Sequence, residues 1–275
     1  MRCLEDTDPR TFGDRLRPLF AAEPIFTNVI ATVLAAPPRS ALWLRVLDRD
    51  ELVGAAMWVP PRSVHLSPLP PDGARALAEH LVIGDHRLPG VDGPSRPAAA
   101  FARRYATATG GSVALGVATR LYRLDRVTRP TAVAGRQRAA TAADRSLILA
   151  WLAAFAAETR PGRPVEDQAP VLDSRLVSGH PMWIWEVAGE PVSFCWYTPV
   201  SPTLRVTRIS AVYTPPALRG HGYASANVAA ASQHALEGGA TICMLYTDRA
   251  NPTSNRIYQD IGYRPVGDAQ EWLFS

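Results

Sequence analysis

The chain has 275 residues, 47% of them hydrophobic and 20% charged, with a formal net charge of +4. That profile belongs to a folded globular protein and excludes an intrinsically disordered one, and the length suits two domains of ordinary size. All 29 basic residues are arginine and they are scattered, so charge permits an anionic ligand but gives no ground for nucleic-acid binding.

The opening MRCLEDTDPR carries acids and no apolar signal core, and no apolar run reaches the roughly 18 residues that span a bilayer, so a cytoplasmic location is expected. Cys3, Cys195 and Cys243 form no C-x-x-C pair and read as free thiols rather than metal ligands. Helical stretches are predicted at Arg10–Phe20 and Pro24–Leu34, followed by strands at Ala41–Leu47, Glu51–Val59 and Ser63–Ser67. A helix at Asp72–Val82, a loop around Leu88–Pro94 and a helix at Arg96–Ala108 come next. Gly111–Val127 is expected to close this half as a β-hairpin, and the turn-prone Arg126–Gly135 to link domains 1–128 and 136–275.

The second half begins with a helix at Thr141–Glu158, where Thr141 and Asp144 stand close to a capping box. A weaker helix covers Pro170–Val177. Strands are predicted at Met182–Ala188, Pro191–Tyr197 and Thr207–Tyr213, joined by short turns that favour an antiparallel meander. The loop Thr214–Tyr223 leads into a small-residue helix at Ala224–Glu237, stopped by Gly238 and Gly239. A strand at Thr241–Thr247, a helix at Pro252–Ile261 and a closing strand or hairpin at Tyr263–Phe274 complete the chain. The order of elements repeats that of the first half without clear sequence identity. Two tandem domains of the α/β (α+β) class are expected, each a mixed central β-sheet flanked by helices.

One segment, V-Y-T-P-P-A-L-R-G-H-G-Y-A at 212–224, carries chemistry. A strand runs into a glycine-containing loop and then a helix. Backbone N–H groups at a helix N-terminus have no partner within the helix, and the helix dipole adds positive potential there. Gly220 and Gly222 let backbone close on an anion, and Ala224, Ser225 and Ala226 keep the first turn slim. Such a turn is often merely structural. A second block, N-P-T-S-N-R-I-Y-Q-D-I-G-Y at 251–263, also makes a good helix start and stop in its own right.

Together the two blocks resemble the GNAT (Gcn5-related N-acetyltransferase) superfamily. Arg219-x-x-Gly222-x-Ala224 is similar to its acyl-CoA pyrophosphate signature, and Asn251, Ser254, Tyr258, Gly262 and Tyr263 fall on its second block. The resemblance covers close to half the chain and implies a GNAT fold there. It implies that Thr207–Tyr213 and Thr241–Thr247 run parallel and splay apart, with pantetheine in the slot along Ala211, Val212 and Tyr213. The pyrophosphate would lie on Arg219, Gly220, His221, Gly222, Tyr223 and Ala224, and Asn251, Ser254 and Tyr258 would line the far side of the coenzyme.

The activity so implied is attack of a small-molecule amine on acetyl-CoA, without a metal. Backbone N–H near Val212 would stabilise the oxyanion, and Tyr258 would protonate the leaving thiolate. Glu186 is the first carboxylate candidate for general base, ahead of His180 and Glu271, while His221 would meet solvent or phosphate. Longer acyl-CoAs, a carrier protein or an aminoacyl-tRNA are alternative donors, and a non-catalytic coenzyme sensor is the alternative class. The intact loop favours coenzyme A over tRNA, and no membrane partner is expected.

In the first half the corresponding place reads Ser67-Pro-Leu-Pro-Pro-Asp-Gly73, whose prolines lack the donors an anion needs. That half is expected to be a degenerate GNAT-like domain without a coenzyme loop. Trp43, Trp58 and Leu88–Pro94 are its candidates for shaping the acceptor pocket, with core packing the more ordinary role for the tryptophans.

Overall fold

A computed structural model of the chain describes residues 1–159 and 167–275. In the first half, β1 (Arg2–Asp6), α1 (Pro9–Arg15), α2 (Arg17–Ala22) and α3 (Asn28–Leu34) precede β2 (Leu42–Asp48), β3 (Glu51–Trp58) and β4 (Val64–Leu66). Then come α4 (Pro71–Ile83), β5 (Gly90–Pro94), α5 (Ser95–Thr109) and β6 (Val113–Leu124). The second half runs β7 (Arg136–Ala139), α6 (Arg145–Thr159), α7 (Ala169–Ser178), β8 (Met182–Val187), β9 (Glu190–Tyr197) and β10 (Val206–Tyr213). It ends with α8 (Tyr223–Glu237), β11 (Ile242–Asp248), α9 (Pro252–Ile261) and β12 (Arg264–Phe274). Each half is thus a strand, helices, three strands, then helix, strand, helix, strand. Among the described residues no helix is long and apolar enough to cross a membrane.

Several boundaries differ from expectation for local reasons. The first helical stretch breaks at Leu16, because Pro18 in the next turn has no N–H to continue the ladder. Gly90–Pro94, expected as a loop, is a strand; a Cβ at Gly90 would stand 2.4 Å from the carbonyl oxygen of Trp272, so the glycine permits close pairing. Gly111–Val127 is not a hairpin. Its core is the single twelve-residue strand β6, and Tyr263–Phe274 likewise supplies the single strand β12.

The reason lies in the sheet, which is continuous in the order β1-β2-β3-β4-β5-β12-β6-β11-β10-β9-β8-β7. The last strand of each half has crossed over. β12 pairs antiparallel with β5 of the first half, from Ala269 opposite Pro94 to Leu273 opposite Gly90. β6 pairs antiparallel with β11 of the second half, from Cys243 opposite Leu124 to Asp248 opposite Thr119. The two exchanged strands also pair with each other along most of their length. The halves therefore share the middle of one sheet across the division expected between 1–128 and 136–275.

Alternation along the strands gives the sheet two apolar faces. Trp43, Met57 and Met244 pack under α1–α3, and Ile184, Phe194 and Trp196 under α6 and α7. Leu44, Leu66 and Val91 face α4 and α5, while Cys195, Ile209, Cys243 and Leu245 face α8 and α9. At the outer edge, Arg138 on β7 donates to both oxygens of Asp144 at 2.8 Å and to Glu186 at 2.8 Å, and Asp144 also accepts from the Thr141 backbone N–H at 2.8 Å. The capping box foreseen at Thr141 is present. Hydrogen bonding from Arg138 holds the Asp144 carboxyl at a pKa of about 2.

Two outcomes are expected. A chain beginning at Gly135 lacks β6, so β11 and β12 lose their shared neighbour; it should show no cooperative thermal unfolding by circular dichroism, and a folded monomer would disprove the dependence. Asp144→Asn should lower stability to denaturant by about 1–2 kcal/mol at pH 7, allowing for solvent screening. Because the folded pKa lies below the ordinary value of about 3.9, the difference should persist above pH 4 and shrink as pH falls toward 2.

Candidate functional site

β10 and β11 pair in parallel only at Val206–Ile242, Thr207–Cys243 and Arg208–Met244. Both strands run on, to Tyr213 and Asp248, with their facing edges unpaired. Each arm of this fork is held by its outer neighbour. β10 follows β9 through a bulge between Ser210 and Tyr213, where Ala211 takes a positive φ of 50°. Ser193 Oγ donates to the Tyr213 carbonyl oxygen at 3.1 Å and accepts from Thr214 Oγ1 at 3.0 Å. β11 stays zipped to β6 as far as Asp248. A cavity of about 1390 Å³ passes through the fork. Leu245, Ile257 and Tyr258 line it from the side of α9; Phe26, Val29 and Tyr246 line it from the side of α3.

At the mouth the loop turns through left-handed Gly220 (φ 85°) and Gly222 (φ 79°) into α8, and no side chain caps that helix. Its first N–H groups therefore have no side-chain acceptor, the arrangement that suits an anion. Arg219 shapes the loop. Its Nε donates to the Thr214 carbonyl oxygen at 2.9 Å, and its Nη2 meets both Glu158 oxygens at 2.7 and 2.9 Å. On the opposite wall Asn251 caps α9, its Oδ1 accepting from the Ser254 N–H at 3.0 Å. Tyr258 follows one turn later, 8% exposed, with Tyr122 and Tyr263 at ring distances of 6.4 and 6.0 Å. Burial pushes its pKa well up, so it is a neutral phenol, and its hydroxyl has no hydrogen-bond partner among the described residues.

Of the residues singled out in the sequence, Ala211, Val212, Tyr213, Arg219, Gly220, Gly222, Tyr223, Ala224, Asn251, Ser254 and Tyr258 line this cavity. His221 is off the lining: its ring is in solvent, stacked on Tyr223 at 5.3 Å with Nδ1 3.0 Å from the Arg219 carbonyl oxygen. Glu186 lies on β8, away from the cavity, clasped by Arg136 and Arg138 at 2.8 Å each. Hydrogen bonds from those two guanidiniums lower its pKa, which disqualifies it as a base for an ammonium. His180 is also off the lining, whereas Glu271 is on it, on β12. Sequence reasoning missed Ser193, Glu158 and the contribution of α3. Only Arg208, a charge inside the apolar run TRISAVY, carried a visible signal.

No curated protein matches this chain. Residues 148–263 match the acetyltransferase (GNAT) family. Among solved structures, a GNAT-family acetyltransferase from Colwellia psychrerythraea is 11% identical with a TM-score of 0.64, covering 100% of this chain and 99% of its own. A Drosophila protein is 14% identical with a TM-score of 0.69, covering 99% and 97%. A tandem GNAT protein from the clavulanic acid biosynthesis pathway is 14% identical with a TM-score of 0.57, covering 100% and 98%. These full-length likenesses establish a tandem GNAT fold, and within it residues 148–263 match the acetyltransferase (GNAT) family.

Proposed function

We propose that the chain is an N-acyltransferase that moves an acyl group, most simply acetyl, from coenzyme A to an amine. The observation that carries this reading is the fork itself, a slot of unpaired strand edge that opens at one end onto an uncapped helix N-terminus. The residues present fit the coenzyme. The free edge of β10 beyond Arg208 offers backbone groups to the pantetheine amides, and the first turn of α8 offers N–H groups and dipole to the pyrophosphate. Acyl-CoA supplies a thioester already activated toward a neutral amine.

This chain's residues then have three tasks. The bulge at Ala211–Val212 re-aims backbone toward the cavity, a position suited to a donor for developing negative charge on oxygen. Tyr258 gives its proton to the departing sulfur and recovers one from the amine nitrogen, which loses a proton as the amide forms, so that the buried phenol is neutral before and after the transfer. The amine approaches through the opposite mouth of the cavity, whose wall includes Phe26 and, on α3, Val29 and Val33. The first half, which lacks the loop that would hold a coenzyme, serves in this reading as part of the acceptor chamber.

Acetyl-CoA titrated into the protein by calorimetry should bind saturably, and Ala224→Glu, which sets a carboxylate among the first-turn N–H groups, should weaken it at least about 30-fold without moving Tm. Failure of acetyl-CoA, longer acyl-CoAs and coenzyme A itself to bind would overturn the reading. Tyr258→Phe should lower kcat by about 10- to 100-fold while the acetyl-CoA Kd stays within about threefold. An unchanged kcat would remove the tyrosine from the chemistry.

A further inference from the structure

Arg208 is the last paired residue of β10, at the apex of the fork, and its side chain lines the cavity. It sits among apolar packing, with Val206 and Met244 buried beside it on the same face. A charge in such a place is costly unless something pairs with it. Among the described residues it forms no ion pair. Among those residues its one side-chain hydrogen bond runs from Nη1 to Asn28 Oδ1 at 2.6 Å. Asn28 is oriented for this by its own amide, which donates to the Ile25 carbonyl oxygen at 2.5 Å and to the Tyr246 hydroxyl at 3.1 Å. A neutral side chain thus aims the guanidinium without quenching its charge, and the edge formed by Nε and Nη2 meets no acceptor from the described residues.

The acids on the cavity wall do not answer it. Glu158 is held by Arg219. Asp248 lies four residues beyond Met244 on the diverging arm, about 13 Å along the strand. Glu271 on β12 and Asp92 on β5 are three and four strands away in the sheet order, which puts their backbones at about 14 and 19 Å or more. The neighbouring charge is another cation: Arg175 of α7, which stacks on Trp196 at 4.3 Å, has its pKa lowered to about 10, by burial first and then by Arg208.

We propose that Arg208 anchors a carboxylate carried by one of the two reactants, so that the enzyme acts either on an amine that also bears a carboxylate or with an acyl group that ends in one. This rests on the acyltransferase reading above. An open Nε/Nη2 edge matches the two oxygens of one carboxylate in parallel. The apex lies about 13 Å along β10 from the bulge at Val212, a gap that the arginine side chain and a reactant's carboxylate a few bonds from the reacting carbonyl span between them. The same charge contributes to acetyl-CoA binding only weakly, since acetyl-CoA presents no anion at this end of the slot.

Two arms test this and separate the sources. In the first, coenzyme A release is followed with acetyl-CoA and a panel of amino acids, each beside its decarboxylated amine. In the second, succinyl-CoA is compared with acetyl-CoA by calorimetry. The expected result is a preference of about 30-fold or more for the carboxylate-bearing member in one arm. Arg208→Gln should reduce that preference to within about threefold, and so should Asn28→Asp, which retains the guanidinium but supplies it with a carboxylate from the protein. Acetyl-CoA affinity and Tm should hold in both variants. A purely structural arginine would lower both members of each pair equally, and that result overturns the proposal. Absence of carboxylate preference in both arms, with acetyl-CoA bound, overturns it while leaving the acyltransferase reading in place. If acetyl-CoA itself does not bind, the acyltransferase reading fails and the proposal falls with it.

Discussion

Two strands that run parallel for three residues and then part organise this molecule. A sheet does not readily leave backbone donors and acceptors unpaired in its middle. The gap persists because each arm has a stronger commitment elsewhere. β10 is drawn outward by the bulge against β9 and by Ser193 on its Tyr213 carbonyl. β11 is zipped to β6 over six residues that continue past the point of parting. The cavity, the loop at its mouth and the tyrosine on its wall all take their places from that divergence.

The charges around the cavity follow a consistent plan. At the mouth, positive potential comes from a helix terminus rather than from a loose side chain, since Arg219 is spent on Glu158 and the Thr214 carbonyl. At the apex it comes from a guanidinium steered by an amide. Acids gather at the far wall, where Asp92 and Glu271 stand opposite each other across β5 and β12, with His65 paired to Asp92. In the first half, His65 and Asp92 also face each other in the parallel register of β4 and β5. That hydrogen bond joins the strands that correspond to the parted ones in the second half.

Much of the second half was legible because its signals are local. A glycine pair before a run of small residues, an Asn-Pro helix start and a Gly-Tyr stop are read within a dozen residues, and the loop and α9 stand where those signals put them. Glu186 shows the limit. Its strand was identified, but Arg136 and Arg138, which neutralise it, lie in a short edge strand with no apolar pattern. His221 stands in that loop with its ring in solvent, stacked on Tyr223. The exchange of β6 and β12 left no trace in either strand's own pattern. A strand paired on both sides looks the same whichever half provides the partners, so Gly111–Val127 was read as a self-contained hairpin.

Reciprocal exchange of the terminal strands ties the two halves like clasped hands. A proteolytic nick in the linker between β6 and β7 would sever the polypeptide, yet each fragment would keep one strand threaded between strands of the other. The fragments would part only by dismantling the middle of the sheet. Drift in the first half is bounded in the same way. The segment 67–73 can carry prolines at little expense to the neighbouring half, but β6 cannot decay without opening the wall on which the second half's slot depends.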